Sequence, residues 1–150
     1  MASSAVSGVG TQFRRWSGTA WADLSEINSI SGPTMTRDFI DVTSLDSTGG
    51  YREFIAGFRD AGTISLSMNF TRNTYEAFLA DFESPDVHYY EICLPDGELT
   101  TIEFAGLVTE VPITIPTDDK ITADVTIKIS GNIEVASGTY DEEPSAVPYV

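Results

Sequence analysis

Side chains able to do chemistry are few in this sequence and poorly placed to act together. His88 is the single histidine and stands beside Tyr89 and Tyr90 in an aromatic run. A general base of the serine-hydrolase kind needs a nucleophile within reach and an acid behind it, and no serine-plus-acid pattern accompanies His88. Cys93 lies between Ile92 and Leu94, so a buried structural thiol is expected rather than a nucleophile. With no second cysteine it forms no internal disulfide. Two acidic clusters, Asp118-Asp119 and Asp141-Glu142-Glu143, could hold a divalent cation loosely. Neither supplies the spaced oxygen ligands of a calcium loop, and solvated acidic loops are the ordinary outcome. Phosphate-cradling glycine patterns, zinc spacings and a basic nucleic-acid stripe are missing. No enzyme, cofactor or metal site is expected. The rival in that class is a small-molecule-binding barrel that uses His88, which requires a pocket with convergent polar groups.

Contact chemistry is better represented, and it is concentrated between Thr36 and Gly62. The segment starts as a β-branched and aromatic run, Phe39-Ile40-Asp41-Val42-Thr43, and breaks into the turn formers Ser44 to Gly50. An apolar patch, Phe54-Ile55-Ala56-Gly57-Phe58, follows, with Arg52 and Arg59 at its ends. A long loop from Ser44 to Arg59 that carries apolar groups, arginines and carboxylates is expected to touch something.

The flanking elements are mostly strands. Thr11–Trp16 reads as a first strand and Ser25–Ser31 as a second, with Ile27 and Ile30 inward. From Thr63 to Phe70 apolar residues alternate with Thr63, Ser65, Ser67 and Asn69, the period-two mark of a half-buried strand. Its uncharged polar face suits a covered surface, or a passage that must not grip what moves through it. Asn73 followed by Glu76 resembles a capping box, and Tyr75, Phe78, Leu79 and Phe82 form the apolar stripe of one short helix ended by Ser84-Pro85. Val87–Leu94 is a strand and Pro95-Asp96-Gly97 a turn. Glu98–Val111 is a long strand whose alternation slips between Leu99 and Ile102, which predicts a bulge. After the Pro112–Pro116 connection, Lys120–Ser130 alternates strictly, with Thr122, Asp124 and Thr126 among its outward residues. Gly131-Asn132 then reads as a turn into a short last strand, Ile133–Val135. The fold class expected is mainly β with one α-helix, a two-sheet β-sandwich or partly open barrel. Residues 1–10 form a flexible arm, 11–137 the single domain, and 138–150 an irregular acidic tail.

The charge is uneven. The 150 residues carry a formal −15. The first half has seven acidic and six basic side chains, while the second has sixteen and two. A solvated acidic face would account for this, as would a surface that repels polyanions joined to a less charged surface that makes contacts. Met1–Val6 lacks the basic start and apolar run of a secretory signal. No apolar stretch is long enough to span a bilayer, so a soluble protein made in a cytoplasm is expected.

Ile40-Asp41-Val42-Thr43-Ser44 with its glycine-containing loop, then Arg52 to Gly62, Tyr90 to Gly97 and the Lys120–Ser130 strand, come in an order that resembles the major tail tube proteins of long, non-contractile-tailed bacteriophages. The resemblance runs from about Thr11 to Val135. It implies six subunits that complete one large barrel in a hexameric ring, with rings stacked head to tail into a tube that conducts the DNA genome. It also implies a place in the virion after assembly in the host cytoplasm, with no membrane. Its partners would be a tape measure protein, a tail terminator, baseplate or tail-tip proteins, and double-stranded DNA passing without specific binding. Inter-subunit and inter-ring contacts are then expected at Arg37, Leu45, Tyr51, Arg52, Glu53, Phe54, Arg59 and Asp60, within residues 36–62. Thr63, Ser65, Ser67, Asn69, Thr122, Asp124 and Thr126 are expected to face the lumen. Copies would join by edge pairing of the Thr63–Phe70 and Lys120–Ser130 strands, whose polar faces carry few charges. The inner tube of a bacterial secretion or contractile injection system is the alternative, since the folds are related.

Overall fold

Among the residues described by this computed structural model (5, 7–24 and 26–136) there are ten strands and one α-helix. The strands are β1 (Gln12–Trp16), β2 (Trp21–Leu24), β3 (Ile27–Ser31), β4 (Thr36–Asp41), β5 (Phe54–Asp60) and β6 (Thr63–Asn69). Helix α1 (Arg72–Glu83) follows, then β7 (His88–Cys93), β8 (Thr101–Glu110), β9 (Ile113–Thr114) and β10 (Thr122–Ala136). Of the N-terminal arm only residues 5 and 7–10 are described, and the tail 138–150 lies outside the described residues.

The two runs of strictest alternation become neighbours. β6 and β10 pair antiparallel from Thr122 opposite Asn69 to Lys128 opposite Thr63. Ile64, Leu66 and Met68 thereby stack beside Ala123, Val125, Ile127 and Ile129, all buried. Around them an eight-stranded antiparallel sheet runs β2-β1-β7-β8-β10-β6-β3, with β9 on β10. The first and last strands of that order, β2 and β3, are joined by only two residues. Three peptide steps span at most about 11 Å, so the sheet curls until its ends nearly meet around one core. A separate two-stranded sheet, β4-β5, projects from it.

Phe13, Phe78, Tyr90 and Phe104 fill one end of the core, with Phe13 and Tyr90 centroids 5.7 Å apart and Tyr90 and Phe104 5.8 Å apart. Helix α1 contributes Phe78 but is turned relative to the stripe read from sequence. Phe82 is exposed, and Thr74 and Asp81 are buried instead. Asp81 is the reason. Its carboxylate accepts from Arg15 Nε at 2.7 Å, Arg15 Nη2 at 2.5 Å and the Tyr90 hydroxyl at 2.6 Å, and His88 Nδ1 stands 3.5 Å away. Burial next to this carboxylate pushes the Tyr90 phenol well above its ordinary range, while the bonds to Asp81 raise the Arg15 guanidinium. His88 thus lies against a structural ion pair. The N-cap is Thr71, without a side-chain cap bond, so Asn73 does not cap the helix.

Other boundaries also shift. β2 was hidden in a turn-like stretch, and β3 starts at Ile27. Gly131 adopts φ +90° without ending β10. β10 runs on past a register shift between Ile129 and Ile133, so the expected turn at Gly131-Asn132 is a bulge. The slip near Leu99 precedes β8, at a positive φ of 53°. Phe70 and Ile121, expected inward, lie outside their strands and are more than a third exposed. Cys93 is buried as expected, and its thiol, pushed up to about 12 chiefly by burial, donates to Glu91 Oε1.

Asp81→Ala should cost about 3–5 kcal/mol, since it strands the Arg15 charge and the Tyr90 hydroxyl; urea denaturation of the monomer measures this. Glu91 is buried beside Arg14, and burial raises its carboxyl above the usual 4.5. The folded state then binds the proton more tightly than the unfolded chain. That contribution to stability is present below the ordinary glutamate value and declines as pH rises through the raised one. Denaturation midpoints followed from pH 4.5 to 8 should fall in the wild type, and less steeply in Glu91→Gln.

Candidate assembly surface

The segment Thr36–Gly62 is a β-hairpin whose second strand, β5, was not legible as one. β4 and β5 pair with Thr36 opposite Asp60, Arg37 opposite Arg59, Ile40 opposite Ile55 and Asp41 opposite Phe54. The loop expected over Ser44–Arg59 is confined to the tip between the strands. Polar bonds order this tip. Glu53 N–H donates to Thr43 Oγ1 at 2.7 Å, Ser47 Oγ donates to Glu53 Oε2 at 2.8 Å, and Arg52 reaches Asp41 at 3.4 Å.

Both faces of the hairpin are open. Every residue of β4 is exposed, and in β5 only Gly57 is partly covered. Leu45, Tyr51 and Phe58 stand out into solvent, Phe58 at 89% of its full exposure. Phe39 and Phe54 pack edge-to-face with centroids 4.9 Å apart, too small a contact to bury either. An isolated two-stranded hairpin is marginal in water, and this much contiguous apolar surface marks an interaction site. Met35, Phe39, Ile40, Val42, Ile55 and Phe58 belong to it as much as the predicted Phe54, Tyr51 and Leu45 do. The turn formers Ser44–Gly50 between two apolar runs were the signal for a hairpin, although β5 shows no alternation of its own.

The hairpin is held at its root by three contacts. Thr63 N–H donates to Thr34 Oγ1, Ile129 N–H donates to the Gly62 carbonyl at 3.0 Å, and Lys128 Nζ bonds Asp60 at 2.9 Å. The Lys128 ammonium, first, and the Gly62 N–H hold the Asp60 carboxyl below its usual range.

The second group of candidate residues forms one band. Thr122 lies opposite Asn69, Asp124 opposite Ser67, and Thr126 opposite Ser65, on the sheet face away from the core. β3 extends the band with Ser31 beside Ser65 and Asn28 bonded to Asn69 at 2.9 Å. Its one ammonium on β10, Lys128, is engaged by Asp60. The chemistry available is that of small hydroxyls, amides and a carboxylate.

The edges differ from expectation. β6 and β10 from Thr122 to Lys128 are interior, each with a strand on both sides within the subunit, and so are not the expected edges. Among the described residues, the free edges around the band belong instead to β3, on the side away from β6, and to Leu107–Thr114. β7 covers β8 only from Thr101 to Gly106, and β9 continues the same line on β10.

The family described as "Lambda phage tail tube protein, TTP" matches residues 6–136. No curated protein matches the chain in sequence. Among solved structures, the tail of an empty gene transfer agent particle, refined with C6 symmetry, is similar with a TM-score of 0.72 at 21% identity, over 88% of this chain and 99% of that one. The sheath–tube complex of an extracellular contractile injection system is similar with a TM-score of 0.70 at 12% identity, over 90% and 93%. The cap of the anti-feeding prophage gives 0.69 at 12%, over 92% and 95%. At these identities the likeness is one of fold.

Because hairpin side chains such as Leu45 and Phe58 bury nothing in the monomer, Leu45→Ser with Phe58→Ser should change monomer stability by less than about 0.5 kcal/mol. Urea titration of dilute protein checks this.

Proposed function

We propose, for a chain that belongs to the lambda phage tail tube protein family, that it is the repeating subunit of the tail tube of a long, non-contractile-tailed phage. Six copies form a ring and rings stack head to tail, making a virion conduit for the ejected DNA genome. The tube is assembled in the host cytoplasm around a tape measure protein. It is closed by terminator and baseplate or tail-tip proteins, and uses no membrane, cofactor or catalytic group.

The observation that carries this reading is the pair of free edges flanking the polar band. The band is four strands wide, β3, β6, β10 and the β8–β9 line, and each pairing is antiparallel. With an even number of strands, β3 runs opposite to β8–β9. A copy rotated about a ring axis therefore brings its β3 antiparallel to the Leu107–Thr114 edge of its neighbour, and the ladder continues unbroken. Closure removes every edge. Six copies give a closed barrel of 24 strands (4 × 6), the six taken from the C6 symmetry of the similar gene transfer agent tail. The band then lines the lumen with Thr63, Ser65, Ser67, Asn69, Thr122, Asp124 and Thr126.

The charge supports DNA passage. Six copies at −15 each carry a formal −90, against DNA with about one negative charge per 1.7 Å of axis. With Lys128 tied to Asp60, the wall repels phosphate weakly and offers it little to grip. The likeness to an injection-system tube supports a second reading, the inner tube of a contractile apparatus. Sheath and ATPase genes beside this one would favour it, and tape-measure and terminator genes the first.

Successive strand N–H groups point to opposite edges, so one of Thr109→Pro and Glu110→Pro removes a donor facing the next copy. That variant should keep a folded monomer by circular dichroism yet give no rings in negative stain, whereas wild type forms rings or tubes. A wild type that stays monomeric at high concentration and with other tail components present would falsify the tube reading.

A further inference from the structure

A second set of buried side chains lies outside the core. On β1, β7 and β8 the core takes Phe13, Tyr90, Ile92 and Phe104, so the residues alternating with them point to the other face of the sheet. There Arg14 lies opposite Glu91 and Glu91 opposite Glu103, with Cys93 opposite Thr101 two residues along. On β2, Trp21 and Asp23 share this face through their pairing with Trp16 and Arg14. Glu91 and Cys93 are each only 1% exposed, and Arg14, Trp21, Thr101 and Glu103 are buried too. A glutamate on an open sheet face keeps its carboxylate in water. Something therefore covers these groups.

Among the described residues no strand or helix supplies that cover. Apart from strand pairing, the main contact between elements is α1 on β8, and α1 reaches the core face through Phe78. The hairpin is rooted elsewhere, at Gly62 and Lys128. Arg14, Trp21 and Glu103 nevertheless have further partners beyond those named above. Two segments outside the described residues, one at each terminus, are the candidates. The N-terminal arm leads to the other side: residues 7–10 are exposed, and Gly8 and Thr11 line a cavity with Ile27, Ile30 and Ile92 on the core face. The C-terminal tail starts in the right place. β10 ends at Ala136 opposite Thr101, and Thr101 is itself opposite Cys93.

We infer that residues 137–150 fold back across β8, β7, β1 and β2 of their own chain and cover the Arg14–Glu91–Glu103 row. Four strand spacings separate β10 from β2, about 19 Å, whereas fourteen residues extend to about 50 Å. The reach is ample. The chemistry suits the uncharged parts of the tail. The face carries the carboxylates of Asp23, Glu91, Glu103 and Glu134 around one guanidinium, Arg14. Tyr140 and Tyr149 bring hydroxyl donors on apolar bodies, and Val147 and Val150 add apolar area for the Trp16–Trp21 pair. Asp141-Glu142-Glu143 meets repulsion on this face everywhere except at Arg14. Burial is also the main cause that raises the Glu91 carboxyl and the Cys93 thiol, as a cover over both would produce. The tail is thus a strap over a charged row that the sheet alone leaves open. It belongs to the single chain and stands whether or not copies form rings.

Cys93 reports on the strap, because an exposed thiol ionises and reacts while a buried one does not. In dilute full-length protein its reaction with dithiobis(nitrobenzoate) should be slow, at a rate unchanged by further dilution. A chain ending at Ala136 should react about tenfold faster or more while keeping its circular dichroism, and its tryptophan emission should move to longer wavelength. An unchanged rate in that folded, shortened chain would overturn the strap. To separate loss of cover from loss of fold, a protease site placed after Ala136 is cut once the full chain has folded. The cut end should either stay bound on gel filtration with Cys93 protected, or leave and expose Cys93. An end that leaves with Cys93 still protected contradicts the strap, as does a full-length chain whose Cys93 reacts like a free thiol. Protection that fades on dilution would assign the cover to a second copy, and protection lost on removing residues 1–6 would assign it to the arm. Either result replaces the strap.

Discussion

Every backbone N–H and C=O of a strand needs a partner, and in this chain β10 meets that demand on both sides from Thr122 to Lys128. β6 covers one side and the β8–β9 line the other. Because that stretch is satisfied within the subunit, the unmet demand among the described residues moves outward to β3 and to Leu107–Thr114. An open edge is a liability in a lone protein. Two open edges of opposite direction, either side of one polar band, are in the proposed ring a means of joining copies. The proposed ring is in this sense a continuation of the folding of the sheet.

Burial and exposure are divided between two kinds of element. The curled sheet and α1 take the apolar core and accept the cost of buried charge, offsetting it with the Arg15–Asp81–Tyr90 and Arg14–Glu91 contacts. Such groups are expensive unless each is paired, and they fix how the helix sits and which strands face it. The hairpin does the reverse. It satisfies its polar groups locally, through Asp41, Thr43, Ser47 and Glu53, and leaves its aromatic and aliphatic groups in water.

The acidic imbalance acts at longer range. Most of the negative charge lies in the second half of the chain, which supplies β7 to β10 and the Asp118-Asp119 arm. Most of the positive charge lies in the first half.

Alternation made β1, β6, β7 and the first part of β10 legible, because a two-residue period is set by the chain itself and by the demand that one face be apolar. The buried thiol of Cys93 and the single helix could be read for the same local reason. β5 could not, since a strand exposed on both faces has no alternation to show. The rotation of α1 was hidden as well. Helical spacing favours the Phe82 stripe, and only Arg15 and Tyr90, brought from other strands, give Asp81 a reason to turn inward. Which strands became edges was likewise beyond local pattern. β6 and β10 look the same whether they pair with each other or with a neighbouring copy, and it is the order of strands in space that leaves β3 and Leu107–Thr114 open.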